Sequence, residues 1–462
     1  MKIKGFRAAR ILIALTAAAS AGTSIAEGFG TPLTYPTTIA SLDHLPTYTA
    51  VARDGQRNFA MLWFPLGGSS AMVEKFGADG APLTAAIPVT GLSAGPRSLA
   101  MDNAGDFVVA GRCAPWYKNG VAALTICAQV YAPDGTPSGP LITVAEYARG
   151  SGEGTGLNGL IIGDYQDQQK GVRVSMSASG DFVVAWAGQV YFGLVPNGLN
   201  DVVSSNFVQL RRYHLNGIPY GDAVYVDQQS FPVIEPQTPL ITGLDMNAAG
   251  SFAITWNRLY PSADSQCLAR FYAADGTPTS AEIAEPLSII VKTGVRLEAV
   301  NCSDSIAVED NGDVVFVWET LNSTSTPTTE TDYLGRYSPL GLPKTMPKPI
   351  LTRSYTSGVQ GDWGFGGLTV GATSNNGSVL TWGVFGNINS GMVPMTFYGQ
   401  AFDSKEVPLG GAVTLGMSTA PLGGQPVDPG ILTSVLDTND DLVVGYGLFM
   451  AQRFQGPVPL LR

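Results

Sequence analysis

The stretch SASGDFVVAW at residues 177–186 decides the fold, because copies of it recur along the chain. Strong copies are DNAGDFVVAG (102–111), NAAGSFAITW (247–256) and EDNGDVVFVW (309–318), and weaker ones are RDGQRNFAMLW (53–63), SNNGSVLTW (374–382) and DTNDDLVVGY (437–446). Each places a polar turn before a run rich in Val, Phe and Trp, which is typical of a β-hairpin. Seven copies, about 48 to 75 residues apart, indicate a repeat protein.

A second pattern follows within the same repeat. KFGADGAPLTAAIPV (75–89) matches QVYAPDGTPSGPLITV (129–144), RRYHLNGIPYGDAVYV (211–226) and RFYAADGTPTSAEIA (270–284), with looser versions at 335–350 and 400–415. The Gly supplies the positive φ that a tight hairpin needs, and an outer edge strand tolerates the Pro that follows. One repeat is therefore predicted to form four antiparallel strands, A to D, with the recurrent Trp at the end of strand B in the core.

The last repeat is divided between the two ends of the chain. MAQRF (450–454) gives its third strand, and GTPLTYPTTIA (30–40) aligns with GAPLTAAIPVT (80–90), so the N-terminal segment is expected to supply the fourth. We therefore predict an all-β fold, a seven-bladed β-propeller of four-stranded antiparallel blades, closed by the N-terminal strand that completes the last blade. An open solenoid or a string of separate sandwiches is the alternative.

The repeats resemble those of a broad, poorly characterised group of bacterial secreted and cell-surface proteins. Their propeller-like repeats run G-D-F-V-V-A-W and then Y-A-Q-R-F-D-A-D-G-T-P-L-G, and the resemblance extends from about Gly30 to Phe454. Two departures are Gly111 in place of the Trp, and Glu406 in place of the turn Gly. The resemblance implies the architecture and no particular activity.

Residues 1–26 are typical of a secretory signal peptide. A basic start is followed by an apolar stretch from Ile11 to Ala21, and Ser24 and Ala26 fit the cleavage site. The basic residues are Lys2, Lys4, Arg7 and Arg10. Residues 27–462 are then predicted to form a single propeller domain, secreted, periplasmic or at the cell surface.

The net charge of −11 becomes more negative when the basic leader is removed. Nucleic acids and anionic membranes reward clustered Lys and Arg, so neither is expected as a partner. The apolar stretch of the leader is too short to span a bilayer, so no membrane insertion is expected. No pattern indicates an oligomeric state.

The four cysteines predict two disulfides in an exported protein. Three pairings exist in principle. Cys113 and Cys127 flank one predicted hairpin and favour each other, which leaves Cys267 with Cys302 and ties one repeat to the next. A zinc site is not expected, because no C-x-x-C pair occurs and the only histidines are His44 and His214.

The long connections fall on one face of the predicted ring. They are the D-to-A inserts at 145–171, 352–366 and 416–430 and the B-to-C inserts at 187–206, 257–266 and 319–332. Long loops on a rigid scaffold commonly bind ligands, and aromatic rings beside carboxylates suit carbohydrates or peptides. The candidate ligand-binding residues are Trp116, Tyr117, Tyr147, Asp164, Tyr165, Asp167, Tyr191, Tyr260, Asp362 and Trp363. The alternative is that each aromatic only anchors its own loop.

Catalytic and cofactor motifs are few. A Ser–His–Asp triad would have to use His44 or His214. Asp43 could orient His44, but no G-x-S-x-G motif accompanies it, and surface positions are favoured for both histidines, so no catalytic residue is predicted. The Asp-rich turns DNAGD (102–106), EDNGD (309–313) and DTNDD (437–441) suggest calcium, but they offer fewer oxygen ligands than the six or so that calcium takes. GSGEGTG (150–156) lacks the lysine of a phosphate-binding loop. No cofactor is therefore predicted, and calcium is the one exception that the turns leave open.

The long loops on one face, their aromatic residues and the scarcity of catalytic motifs favour a non-enzymatic binding propeller. Its long-loop face is expected to contact a glycan, a peptide or a cell-envelope component. The alternative is an extracellular hydrolase or lyase that acts on a polymer through carboxylates at the central funnel. A purely structural module is the third hypothesis.

Overall fold

The computed structural model describes 19 stretches of the chain, and all of their regular elements are β-strands. The stretches are 32–34, 49–63, 70–92, 98–113, 117–118, 121–148, 160–161, 171–192, 203–231, 239–259, 265–285, 299–322, 328–355, 365–385, 392–421, 433–436, 440, 442–446 and 450–454. Within them, no helix has the length and apolarity needed to cross a membrane. The predicted signal peptide lies outside the described residues.

The strands form antiparallel sheets in which neighbours along the chain pair with each other. Sheet 1 holds β2 (Thr49–Arg53), β3 (Phe59–Trp63), β4 (Ala71–Phe76) and β5 (Ile87–Val89). Sheet 2 holds β6 (Ser98–Met101), β7 (Phe107–Arg112), β8 (Tyr117–Lys118), β9 (Val121–Tyr131) and β10 (Ile142–Ala148). Sheet 3 holds β11 (Leu160–Ile161), β12 (Val172–Met176), β13 (Phe182–Phe192), β14 (Val203–Tyr213) and β15 (Val224–Phe231).

Three further sheets repeat the same simple order of four strands. Sheet 4 holds β16 (Leu240–Met246), β17 (Phe252–Leu259), β18 (Ser265–Tyr272) and β19 (Ile283–Glu285). Sheet 5 holds β20 (Ala299–Val308), β21 (Val314–Asn322), β22 (Thr328–Tyr337) and β23 (Lys348–Tyr355). Sheet 6 holds β24 (Phe365–Ala372), β25 (Ser378–Phe385), β26 (Met392–Phe402) and β27 (Val413–Pro421). An all-β propeller of four-stranded antiparallel blades is therefore confirmed.

Sheet 7 combines the two ends of the chain. It holds β28 (Thr433–Leu436), β29 (Leu442–Tyr446), β30 (Met450–Phe454) and, at its outer edge, β1 (Pro32–Thr34). In the pairing of β1 with β30, Pro32 lies opposite Phe454 and Thr34 opposite Gln452. The innermost strands β2, β6, β12, β16, β20, β24 and β28 each contact the next in that order, and β28 also contacts β2.

The recurrent tryptophans lie in the core, as predicted. Trp186, Trp256 and Trp318 are fully buried, and Trp63 and Trp382 nearly so. Strand B is buried on both faces because each sheet packs between two others, so the side chains of alternate positions enter different core clusters. In sheets 1 to 5, a ring near the start of strand B stacks on the aromatic ring at the end of strand C, with centroids 4.6 to 5.2 Å apart. These pairs are Phe59–Phe76, Phe107–Tyr131, Phe182–Tyr213, Phe252–Tyr272 and Phe316–Tyr337.

The turns between strands C and D share a backbone position of positive φ, which favours glycine. Glycine occupies it in five sheets, at Gly80, Gly135, Gly217, Gly276 and Gly341. In sheet 6 the residue is Glu406, with φ of 59°. A left-handed backbone in a non-glycine residue costs of order 1 kcal/mol, so the side chain of Glu406 is expected to make compensating contacts.

The B-to-C inserts are extended hairpins where the structure describes them. β13 continues six residues beyond Trp186, and all eleven of its residues pair with β14. The insert at 319–332 likewise consists of the ends of β21 and β22, on either side of 323–327, which lie outside the described residues. The prediction of a loop beginning directly after the Trp is wrong there, because two adjacent strands that keep pairing satisfy their backbone hydrogen bonds.

Both predicted disulfides are present. Cys113 pairs with Cys127, opposite the end of β7 within sheet 2. Cys267 of β18 pairs with Cys302 of β20, and so joins sheet 4 to sheet 5. Two structural disulfides are typical of exported proteins.

Candidate functional site

A central channel of about 590 Å³ is lined by the innermost strands of all seven sheets. Its wall alternates small apolar residues, such as Ala52, Val174 and Val370, with hydroxyl, amide and charged side chains. Charged side chains are few in this wall, and most of them lie near one end of the channel. This end is defined by the A–B turns, which follow directly on the inner strands.

The A–B turns are hydrogen-bonded to one another across the sheets, so they share one face. The Gly55 N–H donates to the Asn103 carbonyl, the Asn103 N–H to Ala178, and the Ala178 N–H to Ala248, at 3.2 to 3.3 Å. In sheets 6 and 7 the Ser374 N–H donates to the Asp440 carboxylate at 2.7 Å. We call this the short-turn face, and the channel opening on it the short-turn mouth.

Arg53 is the cation of the short-turn mouth. It is the last residue of β2, is half-buried and lines the channel. Burial lowers the pKa of its guanidinium from the ordinary value, and four surrounding carboxylates oppose that shift. These belong to Asp245, Asp310, Asp54 and Asp440. Three of them line the channel with Arg53, whereas Asp54 caps its own turn by accepting from the N–H groups of 56 and 58.

Asp245 is the most perturbed acid of the channel. It lies one residue before the end of β16, and its Oδ2 accepts the Val308 N–H of β20 at 2.8 Å. Burial raises the pKa of its carboxyl from 3.8 to about 6, against the opposing effects of the Val308 and Met246 N–H groups and the charge of Arg53. Asp245 therefore holds a proton at pH values where an ordinary aspartate is ionised. Carboxyls with such values are found at catalytic sites as well as in structural networks.

Asp310 and Asp440 complete the acidic set. Asp310 is exposed in the A–B turn of sheet 5, and Asp440 is half-buried in that of sheet 7. The Asp440 carboxylate accepts both the N–H and the hydroxyl of Ser374, each at 2.7 Å. The mouth thus combines an acid of raised pKa, an exposed carboxylate and a guanidinium, which are groups that can protonate, polarise or bind a polar substrate.

A second acidic group lies within sheet 5, along the paired strands β21 and β22 of the extended hairpin. Carboxylate oxygens of Glu319, Glu330 and Asp332 all lie within 4.8 Å of one another. Glu319 faces Asp332 across β21 and β22, and Glu330 and Asp332 are buried. Oxygen ligands at this spacing suit a hard cation such as calcium. The hairpin ends at 319–332 were the sequence signal for this group, although the sequence alone could not pair its acids.

A third charged group is buried at the short-turn face between sheets 5 and 6. The Arg336 guanidinium donates to Glu309 Oε1 and lies 3.7 Å from Glu406 Oε1, and all three side chains are almost completely inaccessible. The Thr345 hydroxyl donates to Glu406 Oε2 at 2.5 Å. Burial raises the pKa of both glutamates, and the charge of Arg336 opposes that rise. This contact is the compensation for the left-handed Glu406.

Few of the predicted ligand-binding residues lie in the described part of the chain. Trp116, Asp164, Tyr165, Asp167, Tyr260, Asp362 and Trp363 lie outside the described residues. Tyr117 belongs to β8, opposite Ala122, and Tyr191 belongs to β13, opposite Ser204. His44 and the segment 150–156 also lie outside the described residues. The long-loop face therefore stays a prediction.

Tyr147 is an inter-sheet contact. Its hydroxyl accepts from Trp186 Nε1 at 2.7 Å and donates to Gln209 Oε1 at 2.5 Å, and its ring packs against Phe207. Burial raises the pKa of its hydroxyl to about 12. The residue joins β10 to sheet 3, which agrees with the anchoring alternative.

His214 lies at the C–D turn of sheet 3, as the repeat predicts. Its Nδ1 is 3.4 Å from Asp181 Oδ1, and its ring lies against that of Tyr220, whose hydroxyl donates to Asp181. These contacts belong to a surface network.

Comparison with known proteins gives structural likeness without a family. No family model matches the chain, and no curated protein matches it. A Penicillium chrysogenum alpha-L-arabinanase complexed with arabinobiose is similar at 9% identity and a TM-score of 0.38, over 79% of this chain and 94% of that one. The polysaccharide lyase Uly1 is similar at 11% identity and a TM-score of 0.42, over 90% of each chain. The Kuenenia stuttgartiensis hydrazine synthase is similar at 9% identity and a TM-score of 0.45, over 89% of this chain and 96% of that one. Likeness at this level carries no argument about what the present chain does.

Proposed function

We propose that this protein is an exported, glycan-acting propeller, a hydrolase or lyase that uses the carboxylates of its central channel. The observation that carries the proposal is the short-turn mouth, where Asp245, Asp310 and Asp440 surround Arg53 at the end of a channel of about 590 Å³. A concave site with a few convergent polar groups and a perturbed acid is the usual form of an active site.

The proposal includes a closed ring of seven blades. Its support is the order of contacts among the inner strands, from β2 round to β28 and back to β2, together with the pairing of β1 with β30. Closure matters for function because it makes the channel a bounded site with no open sheet edge. Export through the leader at 1–26 is part of the same proposal, and the two disulfides support it.

The chemistry assigns different roles to the acids. Glycoside hydrolysis needs a protonated carboxyl to donate to the leaving oxygen and an ionised carboxylate to activate water or attack the sugar. Asp245 suits the first role because its pKa is raised to about 6. Asp310 suits the second role because its carboxylate is exposed at the mouth. Asp440, which is held by Ser374, suits a binding role.

The test is turnover by the full exported chain on a panel of purified polysaccharides, followed by reducing-end assay and by absorbance of unsaturated products. Asp245→Asn and Asp310→Asn are each expected to lower kcat by about 100-fold or more. Asp222→Asn is the matched control, because Asp222 is exposed and lies outside the channel. Full activity in Asp245→Asn, or no turnover across the panel, contradicts the proposal.

Binding without catalysis is the second candidate, and one observation favours it. The Asp245 and Asp440 carboxylates also hold neighbouring sheets together through Val308 and Ser374, so a structural use exists for both. Equilibrium binding of a glycan, peptide or cell-envelope fraction that is never converted to product supports this candidate. The predicted aromatic residues of the long-loop face are then the variants to make first.

A further inference from the structure

We infer that the channel selects neutral or cationic glycans and rejects polyuronates, so that it cleaves by hydrolysis and not by elimination. This inference rests on the proposed function and specifies its substrate class. It starts from the charges that the described residues place at the short-turn mouth, where three aspartates face a single arginine. When Asp245 is protonated, the summed charge of these four side chains is −1. When Asp245 is ionised, their summed charge is −2.

Three other cations of the short-turn face, Lys75, Arg336 and Lys344, are hydrogen-bonded or paired within the fold. Lys75 Nζ donates to the carbonyls of Gly105 and Pro133, both at 3.0 Å. Arg336 is buried against Glu309, and Lys344 donates to Asp313. Lys75 and Arg336 thus join strand C to turns, and Lys344 joins the C–D turn of sheet 5 to its A–B turn. The charges of these three side chains are neutralised by carboxylates or directed at backbone carbonyls.

Arg173 is the second arginine of the channel wall, and it lies farther from the short-turn mouth. Arg53 is the last residue before its A–B turn, whereas Arg173 lies three residues before the end of β12. Three residues of strand correspond to about 10 Å, which is roughly one Debye length at physiological salt. The charge of Arg173 therefore acts on the short-turn mouth more weakly than that of Arg53.

This charge set opposes elimination and permits hydrolysis. Elimination from a uronate removes the proton next to its carboxylate, and the developing charge needs cations or strong donors beside that carboxylate. The mouth offers one guanidinium already surrounded by aspartates. In hydrolysis the glycosidic C–O bond breaks, the leaving oxygen takes the proton of Asp245, water adds its oxygen to the anomeric carbon, and the proton released by water goes to the ionised carboxylate. No oxidant or further reactant is needed.

The test compares glycans that share a sugar backbone and differ in charge. Oligogalacturonate is compared with its methyl ester, and chitosan hexamer with chitin hexamer, by calorimetric titration of the full exported chain at low salt. The methyl ester is expected to bind at least about tenfold more tightly than the free acid, and chitosan at least as tightly as chitin. Both differences are expected to shrink at high salt because the charges are screened.

A charge-reversal variant assigns the effect to the mouth. Asp310→Lys is expected to improve binding of the free acid by about tenfold or more, because it replaces an exposed carboxylate in the channel wall by a cation. Asp222→Lys makes the same change of net charge at an exposed site outside the channel and is expected to leave the ratio unchanged. Equal or tighter binding of the free acid overturns the inference and leaves the proposed function standing. No binding by any of the four glycans also overturns the inference, whereas the proposed function is decided by turnover on the polysaccharide panel.

Discussion

Removal of the buried guanidinium of Arg336 is the sharpest stability test. In Arg336→Met, Glu309 and Glu406 lose the cation that they share, while the methionine side chain fills most of the space of the arginine methylene groups. Arg336 is 1% exposed, and Glu309 and Glu406 are equally buried. Breaking a buried ion pair by removing one partner costs about 3–5 kcal/mol, so we expect a loss of that size in the free energy of unfolding at pH 7.

The loss should depend on pH in a defined direction. Burial already raises the pKa of Glu309 and Glu406, and removing the positive charge of Arg336 raises both further. A carboxyl whose folded-state pKa is raised favours the folded state below its unfolded pKa, and that contribution is lost as the pH rises through the folded pKa. The penalty of Arg336→Met is therefore expected to be smaller at pH 4 than at pH 8.

The assay is equilibrium urea unfolding with the disulfides intact. Adding Glu309→Gln and Glu406→Gln to Arg336→Met is expected to recover part of the loss, because no charge is then left buried without a partner. Lys344→Met is the control, because Lys344 is 46% exposed and its pair with Asp313 is worth about 1 kcal/mol or less. A loss below about 1 kcal/mol in Arg336→Met, or equal losses at pH 4 and pH 8, would refute the reasoning.

Three further predictions concern single side chains. The wild-type protein loses stability as the pH rises from 4 to 8, because the Asp245 carboxyl, whose pKa is raised to about 6, must then ionise in the folded state. Asp245→Asn lacks this carboxyl, so its stability relative to the wild type should rise by up to about 3 kcal/mol over that range. A difference in thermal midpoint that does not change with pH would contradict this prediction. Gly335→Ala should cost about 1–3 kcal/mol in urea unfolding, because its Cβ would lie 2.6 Å from the Trp318 ring, whereas Gly221→Ala, with no atom within 4 Å, should be neutral. Tyr147→Phe should cost about 1–3 kcal/mol by leaving Trp186 Nε1 without its acceptor, and should leave glycan binding unchanged; weakened binding at unchanged stability would return Tyr147 to a ligand site.

The sequence predicted the repeat, its four strands, its core tryptophans and both disulfides. It could do so because each is a local property. A polar turn before Phe-Val-Val, a D-G-x-P turn after an aromatic and an even cysteine count in an exported chain all operate within a few dozen residues. The sequence pattern did not predict where strands keep pairing beyond the repeat motif, as β13 does with β14 after Trp186.

The candidate site was decided only by the tertiary structure. Arg53, Asp245, Asp310 and Asp440 come from four repeats, and nothing in their spacing along the chain marks them as neighbours. They meet because the inner strands of these sheets end at the short-turn face. Glu406 illustrates the same division. In the sequence it is a departure from a turn glycine, but in the fold its carboxylate is buried beside Arg336 of another sheet. Local patterns determine which elements form, whereas the charge and pKa of a site depend on groups that only packing brings together.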